Sequence, residues 1–379
     1  MRSMVGVEIS STAVRVARVR GVDSEGFAAV SAIGIAPLRE GAVIAGKIKN
    51  HLVVSQALDR ALEIAGARRY DFIIGFNAPD LAVGRLALPH EIKPEERVLA
   101  LRTNDRQISP TLSLAQSVLS TNEVTVDMTG DGRAMTQLVV AAVLREELES
   151  FQRMIALAGC QPRAIDLSAA GLMRALVRAR TDSSEVVTIV DIGETSTTII
   201  TRQGLHLRSV RVLTTGGRAI TRAIMTETGE DQEAATKRRQ LLQLGAESTD
   251  LPIVVAAPYG STADAPSRAP GSTLLEEGVE KAVDQLLDQV ATSIENDATN
   301  YGNTFTNGIT LTGLTAQIPG LKNRLNQRLG VPVQLGRPWA RLEKNRQNLP
   351  YLQDHETTAN TLSEMSTAIG LALWKDPQA

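Results

Sequence analysis

Two stretches about half the chain apart, "VEISSTAVRV" from Val7 and "VDIGETSTTI" from Val190, align without a gap. Each runs acidic, apolar, small, polar, Thr, small, and then strand residues. Each reads as a strand, a tight turn and a second strand, with Glu8 or Asp191 just before the turn. Each also opens a meander. The first is "MVGVEIS", "AVRVARVR" and "GFAAVSAIGIAPL"; the second is "VVTIVDIGETSTTIITRQGLHLRSVRVLTTGG". A repeat at this distance predicts a duplicated lobe rather than two chance hairpins. The 379 residues, 43% hydrophobic and 22% charged, are long enough for two or more packed cores and too balanced for disorder.

Between the repeats the periodicity changes. A helical pattern, "HLVVSQALDRALEIAG", precedes the strand "YDFIIGFN". Residues 79–158 carry their own elements: "LAVGRLALP", a helix after Pro94, strands "EVTVDMTG" and "AMTQLVVAAVL", and the helix "REELESFQRMIALAG". We read them as an inserted subdomain. The strand "RAIDLS" then leads into the helix "AAGLMRALVRAR". Beyond the second meander come helices "GRAITRAIMTETG" and "EDQEAATKRRQLLQLG", an Ala/Pro/Gly/Ser-rich surface loop near 255–273, and a long helix ending at "ENDATN". Next are "ITLTGLTAQIPGLKNRL", a strand, glycine turn and helix opening at Pro319; the strand "VPVQLG"; a polar loop through His355; and the apolar helix "TLSEMSTAIGLALW". The expected partition is a first-lobe core of 1–78 and 159–185 around the insertion 79–158. The second-lobe core is 186–229 and 307–360, with a helical subdomain at 230–306. The last helix, 361–379, returns to the first core.

An acidic residue before a tight turn brings a carboxylate and backbone N–H groups to one point, which suits a phosphate and its metal. In "DIGETSTT", Asp191 offers the carboxylate, Gly193 close approach, and Thr195 and Ser196 hydroxyl donors; an ordinary β-turn has the same signature. In "EISSTAV", Glu8 is one methylene longer and Ser10 carries a Cβ where glycine would allow closer approach. Gly216 and Gly217 open a helix whose N-terminus could accept an anion or simply pack tightly on a strand. Lys237 could reach a ligand from its helix, while Arg238 and Arg239 suit a solvated face. Asp166 ends a strand before a small-residue helix, where it could orient an attacking water or serve as an N-cap.

Other classes find little support. A net charge of -2 and a pI near 6.2 give no long-range attraction to nucleic acid or an anionic membrane. The opening "MRSMVGVEIS" lacks a signal peptide's apolar core, and no run reaches membrane-spanning length. The single cysteine, Cys160, forms no internal disulfide and reads as a small buried hydrophobe. Four scattered histidines give no metal-ligand spacing. There is no P-loop and no G-x-G-x-x-G after a strand.

In order, "VGVEISSTAVRV", "AIDLSAAGLMRAL", "TIVDIGETSTTII", "ITLTGLTAQIPGL" and "STAIGLAL" resemble the five motifs of the actin-like ATPase superfamily: two phosphate hairpins, two connecting helices and an adenosine turn. Within it the chain is most similar to the PilM family of type IV pilus assembly and next to the FtsA family. Length, "RLALP" before the insertion, "LAGCQPRAIDLSAAGLMRAL" and "AIGLAL" favour PilM. FtsA-like chains end in a basic amphipathic helix, whereas this sequence stops at "LWKDPQA".

The resemblance implies a two-lobed, ribonuclease H-like duplicated α/β fold with an FtsA/PilM-type insertion. It implies a cytoplasmic scaffold of pilus biogenesis, peripheral to the inner membrane, that captures the N-terminal tail of a PilN-like membrane protein and could self-associate. ATP with Mg would lie between the lobes. Position by position, Glu8 and Asp191 would face metal and phosphate, and Asp166 would orient water. Ser10, Ser11, Thr12, Gly193 and Thr195 would meet phosphate; Gly216, Gly217 and Lys237 the ribose side; Gly313, Leu314 and Thr315 the adenosine. The usual aspartate and glycine of the first hairpin are here Glu8 and Ser10, and the second glycine of the adenosine turn is Leu314. Arg238 follows Lys237 where an acidic residue is expected. These departures favour a scaffold with degraded ATP binding over an FtsA-like ATPase that polymerises or cycles, because hydrolysis demands tighter geometry than binding. A small-molecule kinase would need a sugar-recognition motif, and none stands out.

Overall fold

The structure, a computed structural model, describes residues 4–102, 112–177, 184–242, 244, 272–342 and 361–375. The loop near 255–270, the polar loop through His355 and the far end of the helix expected to reach Arg180 lie outside the described residues.

The first meander is β1 (Met4–Ile9), β2 (Ala13–Val22) and β3 (Ala28–Pro37), followed by a two-residue hairpin of β4 (Val43–Ile44) and β5 (Lys47–Ile48). Helix α1 (His51–Ile64) is capped by Asn50, whose side chain accepts from Val53 N at 3.1 Å, and buries Val54, Ala57, Leu58, Ala61 and Leu62 along one stripe. Strand β6 (Phe72–Phe76) is wholly buried. Then come β7 (Ala82–Pro89), α2 (Pro94–Arg102), β8 (Ser117–Met128), β9 (Ala134–Leu144), α3 (Arg145–Leu157), β10 (Ala164–Leu167) and α4 (Ser168–Leu176). The second meander is β11 (Val186–Ile192), β12 (Thr197–Gln203) and β13 (His206–Leu213), leading to α5 (Gly217–Thr228), α6 (Gln232–Gln240) and α7 (Ser272–Asn300). The chain closes with β14 (Gly308–Thr312), α8 (Leu321–Leu329), β15 (Val333–Leu335), β16 (Ala340–Leu342) and α9 (Ser366–Ala372).

Two sheets organise these elements. One has the order β10-β6-β1-β2-β3-β16, the other β15-β14-β11-β12-β13-β7-β9-β8. In each, an antiparallel meander is flanked on its first strand by two parallel strands. This brings the Glu8 and Asp191 turns to the same end of their sheets. Across the meanders Glu8 pairs with Arg15 and Asp191 with Thr198.

One core cluster joins Val5, Val7 and Leu58 of the first sheet and α1 to Ile189, Ile200 and Val210 of the second sheet. The second sheet's other face, with Val190, Ile192 and Ile199, buries Ile220, Val283, Leu287 and Leu321 of its helices. Helices α4 and α9 cross where a Cβ on Gly370 would lie 1.7 Å from Gly171 O, so only glycine permits that approach. The same approach carries the ends of both helices to the cleft.

Tertiary pairing changed some boundaries. Strand β8 begins at Ser117, before the alternating run from Glu123, because its polar first half pairs in register with β9. The helix expected from Pro319 starts at Leu321, after a 3₁₀ turn at Thr315–Gln317 and Gly320 at φ +90. Strands β4, β5 and β16 are too short to leave a periodic signal. The 79–158 strands also extend the second sheet, through one pair, Val210 with Val83. Beside it the Tyr301 hydroxyl donates to Arg208 O at 2.7 Å and accepts from Arg85 N at 3.1 Å, spacing the two strands. Meanwhile α3 packs on α1 of the first lobe.

Candidate functional site

A cleft between the two hairpins is lined by Glu8, Ser10, Ser11, Thr12, Asp191, Gly193, Thr195, Gly313 and Leu314. The sequence alone singled out all of these. Arg15, Asn77, Ser168, Glu364 and Thr367 complete much of the wall. Burial pushes the Glu8 carboxyl up to about 7; Arg15 opposes the shift, and Asp191 and Glu364 add to it. Burial likewise raises Asp191 to about 6, against the pull of Arg15. Glu8 Oε2 is buried with no hydrogen-bond partner. Both carboxyls line the same cleft, so that each disfavours the charged form of the other.

Arg15 is 6% exposed. Its Nη1 donates to Ser10 Oγ at 2.8 Å, and Nη2 lies 3.7 Å from Glu364 Oε2, while Nε has no partner. The sequence reading missed this residue. A signal was present: an arginine amid the apolar run "AVRVARV" must bury its charge, and the hairpin register sets it opposite Glu8.

Ser10 gives the first hairpin an internal partner. Its Oγ accepts from Thr12 N at 3.2 Å and Ala13 N at 3.1 Å, and donates to Ala13 O at 2.9 Å. The amides that a phosphate would need are therefore directed at a serine hydroxyl. In the second hairpin, Gly193 has no such side chain. There the Thr195 hydroxyl oxygen accepts from Ala45 N of the first lobe at 3.0 Å, and Asn77 Nδ2 donates to Thr198 Oγ1 at 3.3 Å across the same gap.

Gly313 has φ +96, and a Cβ there would lie 2.4 Å from Ile192 O and 2.7 Å from Asp191 Oδ1. Only glycine suits this position, because φ is positive and a Cβ would strike the Ile192 carbonyl and the Asp191 carboxylate. Leu314, at φ -60 and ψ -41, needs no special conformation. Its side chain lines the cleft and is 37% exposed.

Five expected site residues are not part of that lining. Asp166 accepts from Leu167 N at 2.8 Å and is ion-paired with Arg174, so its carboxylate is neither an N-cap nor free to orient water. Gly217 N donates to Gly193 O at 2.9 Å and Arg218 N to Glu194 O at 2.8 Å, which spends the α5 N-terminus on the hairpin itself. A Cβ on Gly216 would meet Gly193 O at 2.5 Å, and one on Gly217 would meet Thr315 Oγ1 at 2.2 Å. These glycines serve packing. Thr315 is buried and lies within 3.3 Å of Gly193 O, to which it donates. Lys237 points to solvent, paired with Glu233 at 2.7 Å. Arg239, expected on the solvated face, is instead 5% exposed. It donates to Glu194 Oε2 at 2.7 Å and Thr221 Oγ1 at 2.8 Å. Ala235 and Arg239 form the inward stripe of α6 at i, i+4, a phase that sets Lys237 outside.

Two sheets of matching strand order, each presenting a hairpin and a carboxylate to a shared cleft, define the actin-like ATPase superfamily fold. A family model described as "Type IV pilus assembly protein PilM" matches residues 6–263. The match covers more than half of the chain, which belongs to that family. A solved PilM-PilN type IV pilus biogenesis complex is similar at 20% identity and TM-score 0.74, over 98% of this chain and 97% of that one. MreB5 of Spiroplasma citri bound to AMPPNP is similar at 11% identity and TM-score 0.54, over 99% and 96%. A nucleotide-free diol dehydratase-reactivating factor is similar at 10% identity and TM-score 0.52, over 98% and 99%. At these identities the likeness concerns the fold.

Proposed function

We propose that the chain is a non-motor scaffold of the type IV pilus inner-membrane assembly platform, located in the cytoplasm and held there by binding the N-terminal tail of a PilN-like membrane protein. Family membership carries this reading, supported by end-to-end likeness to a chain solved as a PilM-PilN complex. Among the described residues no helix is long and apolar enough to cross a membrane, in keeping with attachment through a partner. Calorimetric titration with a synthetic PilN N-terminal peptide should give saturable binding. Absence of binding, with and without ATP and Mg, would remove the proposal.

Nucleotide is a ligand of this scaffold rather than its fuel. Among the described residues no group of three or more His, Cys, Asp or Glu forms a metal cluster. The partnerless Glu8 Oε2 and Asp191 nevertheless suit a Mg ion that keeps several waters. That ion would supply the positive charge needed to admit a polyphosphate beside these carboxyls. Arg15, Ser11, Thr12 and Thr195 would meet the phosphates, with Gly313 and Leu314 toward the adenosine. Turnover is disfavoured because Ser10 occupies the first hairpin's amides and Asp166 is bound to Arg174. Thermal stability should rise with ATP and Mg, while phosphate release stays at background. An FtsA-like ATPase remains the contrasting reading on the strength of the second hairpin's Asp191, Gly193 and Thr195; it requires phosphate release that Asp191→Ala abolishes.

The finer fold reading belongs with this proposal. The matched strand orders support a duplicated ribonuclease H-like lobe with residues 79–158 inserted into the first copy.

A further inference from the structure

The small β4–β5 hairpin stands where three parts of the molecule meet. Its two turn residues both have positive φ, Ala45 at 49° and Gly46 at 86°. This is the two-residue turn geometry that usually selects Asn-Gly. Alanine in the left-handed region is strained, and Ala45 is also 3% exposed. Its backbone N–H leaves the first lobe altogether and donates to Thr195 Oγ1 of the second hairpin at 3.0 Å. Gly46 lines the cleft, and a Cβ on it would lie 2.7 Å from Asn77 O. Lys47 Nζ, on the far side of the turn, sits 2.8 Å from both Asp80 Oδ2 and Glu147 Oε1. Those carboxylates belong to the β6–β7 connection and to the first turn of α3. Glu40, just before the hairpin, reaches Arg218 of α5 at 3.0 Å.

We propose that the β4–β5 hairpin is an interlobe clasp. Lys47 anchors it to the 79–158 segment, which presses the strained Ala45 tip against Thr195 and holds the cleft closed. When the lobes part, the Ala45–Thr195 bond breaks and the tip relaxes from its left-handed conformation. The clasp and a cleft ligand are compatible, because Thr195 Oγ1 accepts from Ala45 and keeps its own proton to donate. The inference is independent of whether nucleotide binds, so it is tested on the ligand-free full chain.

The test compares Thr195→Val, which keeps shape but loses the acceptor, with Lys47→Met, which keeps the stem but loses the anchor and touches neither Ala45 nor Thr195. Amide hydrogen exchange of the 43–48 segment is read together with an interlobe distance between spin labels at Ser24→Cys and Asn323→Cys in a Cys160→Ser background. Both variants should speed exchange at Ala45 by about fivefold or more, the weight of one net hydrogen bond, and both should lengthen or broaden the distance distribution. Ala45→Gly, which relieves the backbone strain and keeps the N–H, should slow exchange and narrow the distribution. Unchanged distances in both Thr195→Val and Lys47→Met would overturn the clasp, as would an effect of Thr195→Val alone.

Discussion

The two hairpins share a backbone and differ in what fills it. Ser10 N donates to Ala13 O at 3.0 Å in the first, and Gly193 N donates to Ser196 O at 3.0 Å in the second. Inside that common turn, the first hairpin satisfies itself: Ser10 Oγ takes two amides and the Arg15 guanidinium. The second has no side chain inside its turn: Thr195 meets Ala45 N across the cleft, and Arg239 on Glu194 and the α5 amides on its carbonyls hold it from behind. One loop shape is thus compatible with two states of readiness. Side chains, not backbone path, decide which.

Breaking the support of the second hairpin should have the largest effect. Arg239→Ala leaves Glu194 buried without its cation, and stability should fall by roughly 3–5 kcal/mol in a denaturant titration. Arg239→Met with Glu194→Gln should lose far less. Lys237→Ala, two residues away on the solvated face, should stay within about 0.5 kcal/mol. Equal losses for Lys237→Ala and Arg239→Ala would reverse the assigned phase of α6.

Next in size is the carboxyl of the first hairpin. Glu8 titrates at about 7 in the fold against an ordinary 4.5, so the unfolded chain gives up this proton first. Stability is therefore lost as pH rises from 4.5 to about 7. Glu8→Gln should remove that loss: little change near pH 4, and a gain on the order of 1–3 kcal/mol at pH 8, the upper figure reduced by water at the cleft face. Asp191→Asn should behave alike over the window from 3.8 to about 6. Melting temperatures across this range check both.

Ser10→Gly sharpens the contrast directly. It removes the internal acceptor at a cost of about 1 kcal/mol and should raise affinity for ATP with Mg by about tenfold, as freed amides meet phosphate. Calorimetry that finds no gain would show that Ser10 is not what silences the first hairpin. Leu314→Gly is the smallest perturbation. Its conformation is ordinary and its side chain half-exposed, so stability should change by less than about 1 kcal/mol. Affinity should improve about two- to fivefold if the leucine only narrows the cleft mouth.

Much of this was legible in the sequence. The acidic turn residues, Gly193, Thr195 and Gly313 were recognisable because hairpin turns write their chemistry locally, within four or five residues. The order of strands and helices was legible for the same reason. Arg239 and Lys237 were exchanged because "ATKRRQ" is too short and polar to reveal helical phase; only packing on Gly217 and Glu194 decides which cation turns inward. The pairing of Asp166 was not legible, because a strand-terminal aspartate before a helix looks the same whether it is free or paired, and Arg174 lies eight residues further on.

The sequence by itself determined the two meanders, their acidic turns and the membership of the chain in its family, since these rest on local patterning and on repetition. The tertiary structure alone decided that the 79–158 strands join the second sheet and that Ser10 turns back on its own hairpin's amides. It alone brought an unremarked Ala-Gly turn across the cleft to Thr195. Such contacts join residues far apart in the chain, and no local period or turn signature records where a hydrogen-bond donor will find its acceptor.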